Sequence, residues 1–190
     1  ANFGFLGGLG APGFVYHAKK QGVDIDFGRS KQIRDLWLAE YPEMKMYFDW
    51  INSQARGSSY TSVHPMTGFI RGGVGFNDGA NHNFQHLTAC GAKLALFNVA
   101  QECYLPGTAL YKSRPVFFLH DEIIIEAPES AAHEAAVRLV QVMESSMNEY
   151  VKDIPCKVEV AMMRRWSKKA KAVYGPDNRL MPWVDTNEAA

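Results

Sequence analysis

The spacing of apolar residues predicts helices in the first half of the chain. Between Arg29 and Arg56 large apolar side chains recur every three or four residues, at Ile33, Leu36, Trp37, Tyr41, Met44, Phe48 and Ile51. Pro42 lies inside this pattern, and a proline within a helix removes a hydrogen bond and clashes with the preceding turn. We therefore expect two helices that meet at Pro42. A shorter helix is expected over residues 13–21, before Gly22.

The second half of the chain mixes strand and helix patterns. The predicted elements, in chain order, are a hairpin or irregular strand pair over 57–75, a helix over 81–102, strands over 116–119 and 123–125, a helix from an N-cap at Ser130 to about Tyr150, and a strand over 158–162. Strands that neighbour each other in sequence, between separate helices, are typical of an α+β protein with an antiparallel sheet. The alternation that builds a parallel sheet is not present.

Composition and charge leave the class of protein open. The 190 residues are 47% apolar and 21% charged, which is ordinary for a globular protein. Twenty basic and twenty acidic residues cancel, and a local basic stripe would still suffice to bind phosphate. The three cysteines form no CxxC pair, which favours reduced thiols. With no membrane-spanning run and no signal-peptide pattern, we expect a cytoplasmic protein without a membrane partner.

Three polar residues, His120, Asp121 and Glu122, interrupt the two apolar runs at 116–125. Burying a carboxylate is costly unless it is paired or bound to a cation. At a turn the two acids can converge, and their oxygens would suit a divalent metal. A solvated turn between two strands is the alternative, because acids are common at hairpin turns.

Two further segments carry candidate chemistry. On the helix over 81–102, Asn81 and Gln85 share one face, while a second face carries His82, His86 and Cys90. The second set indicates either a zinc site or a polar helix face with a core cysteine. A basic run with Trp166 among its members would contact phosphates or form a solvated surface: Arg164, Arg165, Lys168, Lys169 and Lys171.

Three segments together resemble one family. The stretches "NFGFLGG" at 2–8, "NHNFQHLTACGAK" at 81–93 and "FLHDEIIIE" at 118–126 are similar, in order, to three motifs of family A (bacterial polymerase I-like) DNA polymerases. The second stretch matches the pattern N…Q…A…K, and the third matches the "VHDE" motif residue for residue at 120–122. Trp166 also lies where the family often has tryptophan. The resemblance runs from Asn2 to about Trp166, and its "GFLGG" form is more similar to a phage enzyme.

The resemblance implies an architecture. It predicts an α+β fold in which a palm-type antiparallel sheet packs with helices, joined to the C-terminal end of the fingers helices. Residues 1–56 would hold the end of the fingers motif and the helices that follow. Residues 57–190 would form the palm, with the hairpin and a C-terminal tail over 172–190 to which no role is assigned.

The resemblance also implies a reaction, template-directed nucleotidyl transfer with two Mg²⁺ ions. Asp121 and Glu122 would be metal-binding and catalytic, and His120 would lie close to the primer end. The residues expected to contact primer–template DNA are Asn81, Gln85, Lys93 and Arg71. Phe3 and Gly4 are expected at the incoming dNTP.

Three departures from the family pattern matter. Gly7 stands where most members have tyrosine, and Asn77 stands where an arginine usually precedes the N…Q helix. The second catalytic aspartate, of a "DYS"-type motif, and the fingers lysine and arginine are not in the sequence. We therefore expect a separate upstream polypeptide to supply them, and activity only in the larger assembly, in the host cytoplasm if the chain is phage-encoded.

Other functions stay open beside this expectation. The chain would be an inactive remnant or a fragment of a longer enzyme, or a non-catalytic subunit that binds DNA or a polymerase. Acids in an apolar hairpin argue against a pure scaffold. A small metal-dependent hydrolase built on His82, His86, Cys90 and Asp121 has no identifiable nucleophile.

Overall fold

Helices dominate the first of two compact units, Ala1–His86 and Leu87–Ala190. The structure is a computed structural model that describes residues 2–54, 57 and 59–185, without the side chains of Asn2 and Phe3. Helices and short strands occur together in it, so the predicted α+β class is confirmed. The predicted functional boundary between residues 56 and 57 is a different division of the chain and stays a prediction.

The first unit contains the three helices that the sequence predicts: α2 (Ala11–Lys20), α3 (Phe27–Glu40) and α4 (Glu43–Gln54). A short helix that the apolar spacing did not predict, α1 (Asn2–Leu6), precedes them. Pro42 lies between α3 and α4, as expected. The Asp26 side chain caps α3, since it accepts a hydrogen bond of 2.8 Å from the backbone N–H of Arg29.

An antiparallel hairpin and the start of a long helix complete the first unit. Strands β1 (Tyr60–Val63) and β2 (Ile70–Val74) pair within the predicted segment 57–75, and α5 (Phe76–Tyr104) follows. One buried cluster holds Phe5, Trp37, Leu38, Met44, Phe48 and Ala80, and a smaller one holds Ile51, Tyr60 and Val74. A Cβ added to Gly79 would lie 1.8 Å from the Tyr60 hydroxyl, so this glycine lets β1 lie close to α5.

The second unit packs a hairpin and a helix against the rest of α5. Strands β3 (Arg114–Leu119) and β4 (Glu122–Glu126) are antiparallel, and α6 (Ala132–Asn148) follows a short 3-10 helix (Glu129–Ala131). The buried core residues are Ala95, Val99, Cys103, Leu110, Ile123, Ala135, Leu139 and Val142. Three short strands come last: β5 (Met162–Met163), β6 (Val173–Tyr174) and β7 (Leu180–Trp183).

Several local predictions are wrong. Ser130 is not an N-cap: it lies inside the 3-10 helix, and α6 begins after Ala131 without a side-chain hydrogen bond. The strand predicted over 158–162 is reduced to β5, because the N–H of Val158 donates to the Glu144 carboxylate at 3.1 Å rather than to a neighbouring strand.

The sheet also differs from the prediction. In the described part of the chain the strands form three small sheets rather than one antiparallel sheet, and β5 pairs with β7 in parallel. Helix α5 begins at Phe76, five residues before the predicted start, since the amide and apolar pattern marks only the residues from Asn81 onward. Within the described residues, no helix combines the length and apolar character that crossing a bilayer requires.

The core of the second unit predicts a matched pair of stability effects on α6. Leu139 is 7% exposed within this core, whereas Val137, on the same helix, is 43% exposed. Leu139→Ala should lower the free energy of unfolding by about 2–5 kcal/mol, since it removes buried methyl groups and leaves a cavity. Val137→Ala should change it by less than about 0.5 kcal/mol. Chemical denaturation followed by circular dichroism measures both, and equal effects would contradict this core.

Candidate functional site

The His-Asp-Glu triplet forms the tip of the β3–β4 hairpin. Leu119 pairs with Glu122, so His120 and Asp121 are the two turn residues and Glu122 begins β4. His120 has a φ of 54°, a left-handed conformation that is uncommon for residues other than glycine. Two-residue hairpin loops require positive φ in their turn, because only such turns match the twist of the strands. The hairpin thus keeps a histidine where glycine would be the less strained residue.

The β3–β4 hairpin is anchored near its tip, at the second cross-strand pair from the turn. Phe118 pairs with Ile123, which is 8% exposed, and both pack in the core of the second unit with Ile125. A bulge between Pro115 and Phe117 shifts the register at the other end of β3. The position of Asp121 is therefore fixed by a cross-strand pair close to the turn, in which Ile123 is buried and Phe118 is partly buried.

The triplet is not buried, although it lies between two apolar runs. His120, Asp121 and Glu122 are all exposed. In the first apolar run Val116, Phe117 and Leu119 are exposed as well, at 47–50%. The second run is covered: Ile123 is buried, and the two isoleucines after it are partly buried. The acids therefore need no buried partner, and burial does not favour a metal site over a solvated turn.

The chemistry of the turn nevertheless suits Mg²⁺. Asp121 and Glu122 offer carboxylate oxygens, and proteins usually bind this ion through one or two carboxylates together with water and substrate phosphates. In the described ranges, no group of three or more His, Cys, Asp and Glu side chains is placed to hold a metal. Two carboxylates alone would need further ligands to complete the coordination of the ion.

The face of α5 that carries Asn81 lies in the first unit. Asn81 and Gln85 are four residues apart and project from the same side of the helix. The Asn81 side chain donates a hydrogen bond of 3.0 Å from Nδ2 to the carbonyl of Asn77, and Gln85 is exposed. Two amides on one helix face can donate to and accept from the edges of base pairs.

The other predicted binding residues are spread over both units. Arg71 lies on β2 and is 3.6 Å from Asp78, and both side chains are largely exposed. Gly4 lies in α1, where an added Cβ would be 2.9 Å from Leu9 Cδ2. Lys93 is exposed on α5 in the second unit. The Phe3 side chain lies outside the described part. Contact of any of these residues with DNA or dNTP stays a prediction.

A cluster of three histidines supports the β1–β2 hairpin on α5. The ring centres of His64, His82 and His86 lie 5.0–6.1 Å apart, and Phe69 stacks on His86 at 4.3 Å. His64 Nδ1 accepts from the backbone N–H groups of Met66 and Thr67, at 3.3 Å each. Its Nε2 therefore carries the proton and donates to the carbonyl of Asn83 at 3.0 Å.

The cluster corrects the zinc hypothesis. His64, which the sequence pattern does not single out, lies beside both His82 and His86. Backbone groups form hydrogen bonds with both of its ring nitrogens. Within the described residues His82, His86 and Cys90 are not placed as a metal-binding group. No spacing rule could have found His64, because the β1–β2 hairpin alone brings it to α5.

His82 is the member of the cluster most sensitive to protonation. Its Nδ1 lies 2.9 Å from Ser62 Oγ, while its Nε2 is buried with no hydrogen-bond partner among the described residues. Burial lowers the pKa of His82 below its ordinary value of 6.5, and the neighbouring His86, His64 and Arg71 lower it further. His82 is thus held neutral in the folded chain.

The basic run forms an exposed segment of the second unit. Arg164 pairs with Glu129 at 2.5 Å, and Trp166 is 58% exposed. Arg165, Lys168, Lys169 and Lys171 are also exposed. This arrangement is compatible with phosphate contacts and equally with a solvated surface.

Three curated relatives are similar in sequence to most of this chain. The chain is 26% identical to DNA polymerase I of Aquifex aeolicus over 168 residues, which is 88% of the chain and 29% of that protein. It is 24% identical to the thermostable DNA polymerase I of Thermus filiformis over 173 residues, 87% of the chain and 19% of the relative. It is 25% identical to DNA polymerase I of Chloroflexus aurantiacus over 182 residues, 91% of the chain and 18% of the relative.

These relatives carry the name of the family that the three motifs resemble. The chain spans less than a third of the length of each of them. No family model matches the chain. The phage-type character and the position of the chain at the C-terminal part of a polymerase stay predictions.

The neutral state of His82 predicts how stability depends on pH. The unfolded chain binds a proton at this residue near pH 6.5, and the folded chain binds it only at lower pH. Neutral His82 therefore contributes to the free energy of unfolding above pH 6.5. This contribution is lost as the pH falls through the folded pKa, by at most about 1.4 kcal/mol per pH unit. His82→Gln should reduce the loss of stability between pH 7 and pH 5.

The matched control is His17→Gln, which removes an exposed histidine of α2. Denaturation midpoints across this pH range should show the same slope for the control as for the unchanged chain. A slope that His82→Gln leaves unaltered would contradict the neutral, buried state of His82.

Proposed function

We propose that this chain is the part of a DNA polymerase that holds the primer end, in the manner of its DNA polymerase I relatives. The observation that carries the proposal is the turn at 120–122, which is anchored by the core residue Ile123 and its strand partner Phe118 and presents two carboxylates to solvent. The ordered match of two further motifs, on α1 and α5, and the similarity over most of the chain support it.

Asp121 and Glu122 hold Mg²⁺ in this proposal, and His120 contacts the primer end. The ion, when bound, stabilises the charge that develops on the phosphate oxygens during nucleotidyl transfer. The hairpin fixes where the carboxylates lie, because a β-turn holds them in place without the entropy cost of ordering a mobile loop. An exposed turn is accessible to a primer terminus and to a triphosphate, which a buried pair of acids would not be.

Residues on the first unit would bind the substrates. Asn81, Gln85 and Arg71 contact the primer–template, with Lys93 on the later part of α5, and Phe3 and Gly4 lie at the incoming dNTP. Minor-groove acceptors occur in every Watson–Crick pair, so side-chain amides can test base-pair geometry without reading sequence. Template-directed synthesis requires this kind of contact.

The two-metal site needs carboxylates beyond this hairpin. The sequence contains no "DYS"-type motif, and the relatives that the chain matches are more than three times as long. We propose that upstream polymerase sequence, outside these 190 residues, supplies the second aspartate and the residues that grip the triphosphate. The chain is then active as part of that assembly.

The experiment is primer extension by the chain mixed with the upstream polypeptide. Asp121→Asn removes one negative charge at nearly constant shape, and it should lower the rate of extension about 100-fold or more while DNA affinity is kept. The matched control is Glu126→Gln at the far end of β4, which pairs with Arg114 and should extend normally.

Two results would contradict the proposal. Extension by Asp121→Asn at the unchanged rate would remove the metal-binding role of the hairpin. Extension by the 190-residue chain alone would remove the need for a second polypeptide.

A non-catalytic DNA-binding subunit is the second candidate, and the exposed basic run around Trp166 favours it. Exposed cations and an aromatic ring suit phosphates and unpaired bases. In that case Asp121→Asn would leave every activity of the assembly unchanged, and neutralising Lys168 and Lys169 would weaken DNA binding.

A further inference from the structure

Strand β7 pairs with the strands on both sides of the basic run and is the middle strand of its sheet. Met163, at the end of β5, lies beside Trp183, and Val173, at the start of β6, lies beside Met181. The chain between them, residues 164–172, leaves one side of β7 and returns on the other, and we call it the basic loop. Since neighbouring strands lie about 4.8 Å apart, the two ends of the loop are held about 10 Å apart across the sheet.

The basic loop is folded back on itself. The N–H of Ser167 donates to the sulfur of Met163 at 3.2 Å, and the N–H of Ala170 donates to the carbonyl of Ser167 at 3.0 Å. The N–H of Lys169 donates to Ser167 Oγ at 3.3 Å. A fully extended segment of this length would span about 30 Å. The loop is therefore a compact turn and not an open arm.

Helix α6 fixes the position of β7. Leu180, at the start of β7, is 4% exposed, and its N–H donates to Nδ1 of His133 at 2.8 Å. Next to it, Arg179 pairs with Glu134 at 2.6 Å, and both side chains are about half exposed. Because β7 is bonded to α6 and also to β5 and β6, it connects the basic loop to the packed part of the second unit.

The basic loop carries four cations without an acidic partner. The loop contains no Asp or Glu. Its first residue, Arg164, pairs with Glu129, whereas the other cations form no salt bridge within the described residues. All of these are exposed: Arg165, Lys168, Lys169 and Lys171. Like charges confined to one turn repel each other, and the phosphates of a nucleic acid would relieve this repulsion.

The basic loop lies in the same unit as the 120–122 turn, and the distance between them is bounded. The pair of Arg164 with Glu129 ties the loop to the segment that follows β4. From Glu122 to Glu129 an extended backbone reaches at most about 25 Å, and one turn of duplex DNA is about 34–36 Å long. A duplex whose primer end meets the turn would thus pass the loop within about one helical turn.

We propose that β6 and β7, residues 173–183, form a clamp that fixes the basic loop, and that this loop binds phosphates of the primer–template duplex. The proposal gives the C-terminal tail a role. It rests on the proposed function for its ligand, because that function places the end of a duplex at the 120–122 turn. Cations on a clamped loop lose less conformational entropy on binding than cations on a mobile segment.

The first arm of the test removes charge from the loop. The 190-residue chain is titrated into a fluorescein-labelled primer–template duplex, and anisotropy is followed at several salt concentrations. Lys168→Gln combined with Lys169→Gln should weaken binding about tenfold at about 0.1 M salt and lower the salt slope by about two. The matched control is Lys152→Gln combined with Lys157→Gln, at exposed positions of the same unit. It should leave the affinity and the slope unchanged.

The second arm loosens the clamp and keeps every cation of the loop. His133→Ala removes the acceptor of the Leu180 N–H, whereas His133→Asn offers a side-chain oxygen in its place. His133→Ala should weaken duplex binding by up to about tenfold, the worth of one hydrogen bond. Trypsin should also cut this variant faster within the basic loop, as mass spectrometry of the fragments reports. His133→Asn should restore both properties.

A second clamp variant covers a folding defect. If His133→Ala unfolds the second unit, as circular dichroism would show, Glu134→Gln takes its place, since it removes the ion pair with Arg179. It should give the same selective cleavage of the basic loop. Cleavage and affinity that stay unchanged in the folded clamp variant would overturn the clamp, and so would a His133→Asn variant that behaves as His133→Ala does.

Two further results would overturn the binding role of the loop. One is equal affinity of the Lys168→Gln, Lys169→Gln variant and its control. The other is tighter binding of the single-stranded template than of the duplex, which the exposed ring of Trp166 would favour. The proposed function fails by a different measurement, because Asp121→Asn changes the rate of extension and should leave both arms of this test unchanged.

Discussion

Close approach to helix α5 is the constraint on which both units depend. A helix can lie against its neighbours only where its own side chains are small. Gly79 makes room for the Tyr60 ring in the first unit. In the second unit a Cβ at Gly91 would lie 2.5 Å from the Met147 sulfur and 3.2 Å from its Cα, so α6 lies against the backbone of α5. Glycine inside a helix costs about 1 kcal/mol relative to alanine, and these contacts offset that cost.

The same principle governs the candidate functional surfaces. Gly7 brings the end of α1 against Asn81 as Gly79 brings β1 against α5, and the core residue Ile123 with its strand partner Phe118 holds the β3–β4 turn. At the hairpin a packed pair of strands carries carboxylates that are exposed. In the proposed DNA complex, contacts placed in this way would need no ordering, which is the advantage of preorganisation. The account of a polymerase part thus rests on positions that the packing fixes, together with the order of the three motifs.

The spacing of apolar residues predicted most helices and both hairpins well. It predicted poorly which of their faces are buried and which residues they contact. The helices on either side of Pro42 and both hairpins follow from local pattern, because proline geometry and β-branched runs act over a few residues. The burial of the His120–Glu122 triplet could not be read locally, since two-sided apolar runs do not show which face packs. Ser130 failed as an N-cap because a 3-10 turn precedes α6. His64 lies beside His82, and Gly7 lies beside Asn81. Both are tertiary contacts that the spacing of residues in the sequence does not encode.

The central claim, that the 120–122 turn meets the primer end, can be tested by photo-crosslinking in the assembly with the upstream polypeptide. A primer with a photoreactive group on its 3′-terminal nucleotide is annealed to template, bound and irradiated, and the crosslinked peptide is identified by mass spectrometry. The account predicts crosslinks within residues 119–123, with fewer when the group is moved about ten nucleotides, one helical turn, upstream. Crosslinks confined to the basic run at 164–171, with none at the hairpin, would contradict it.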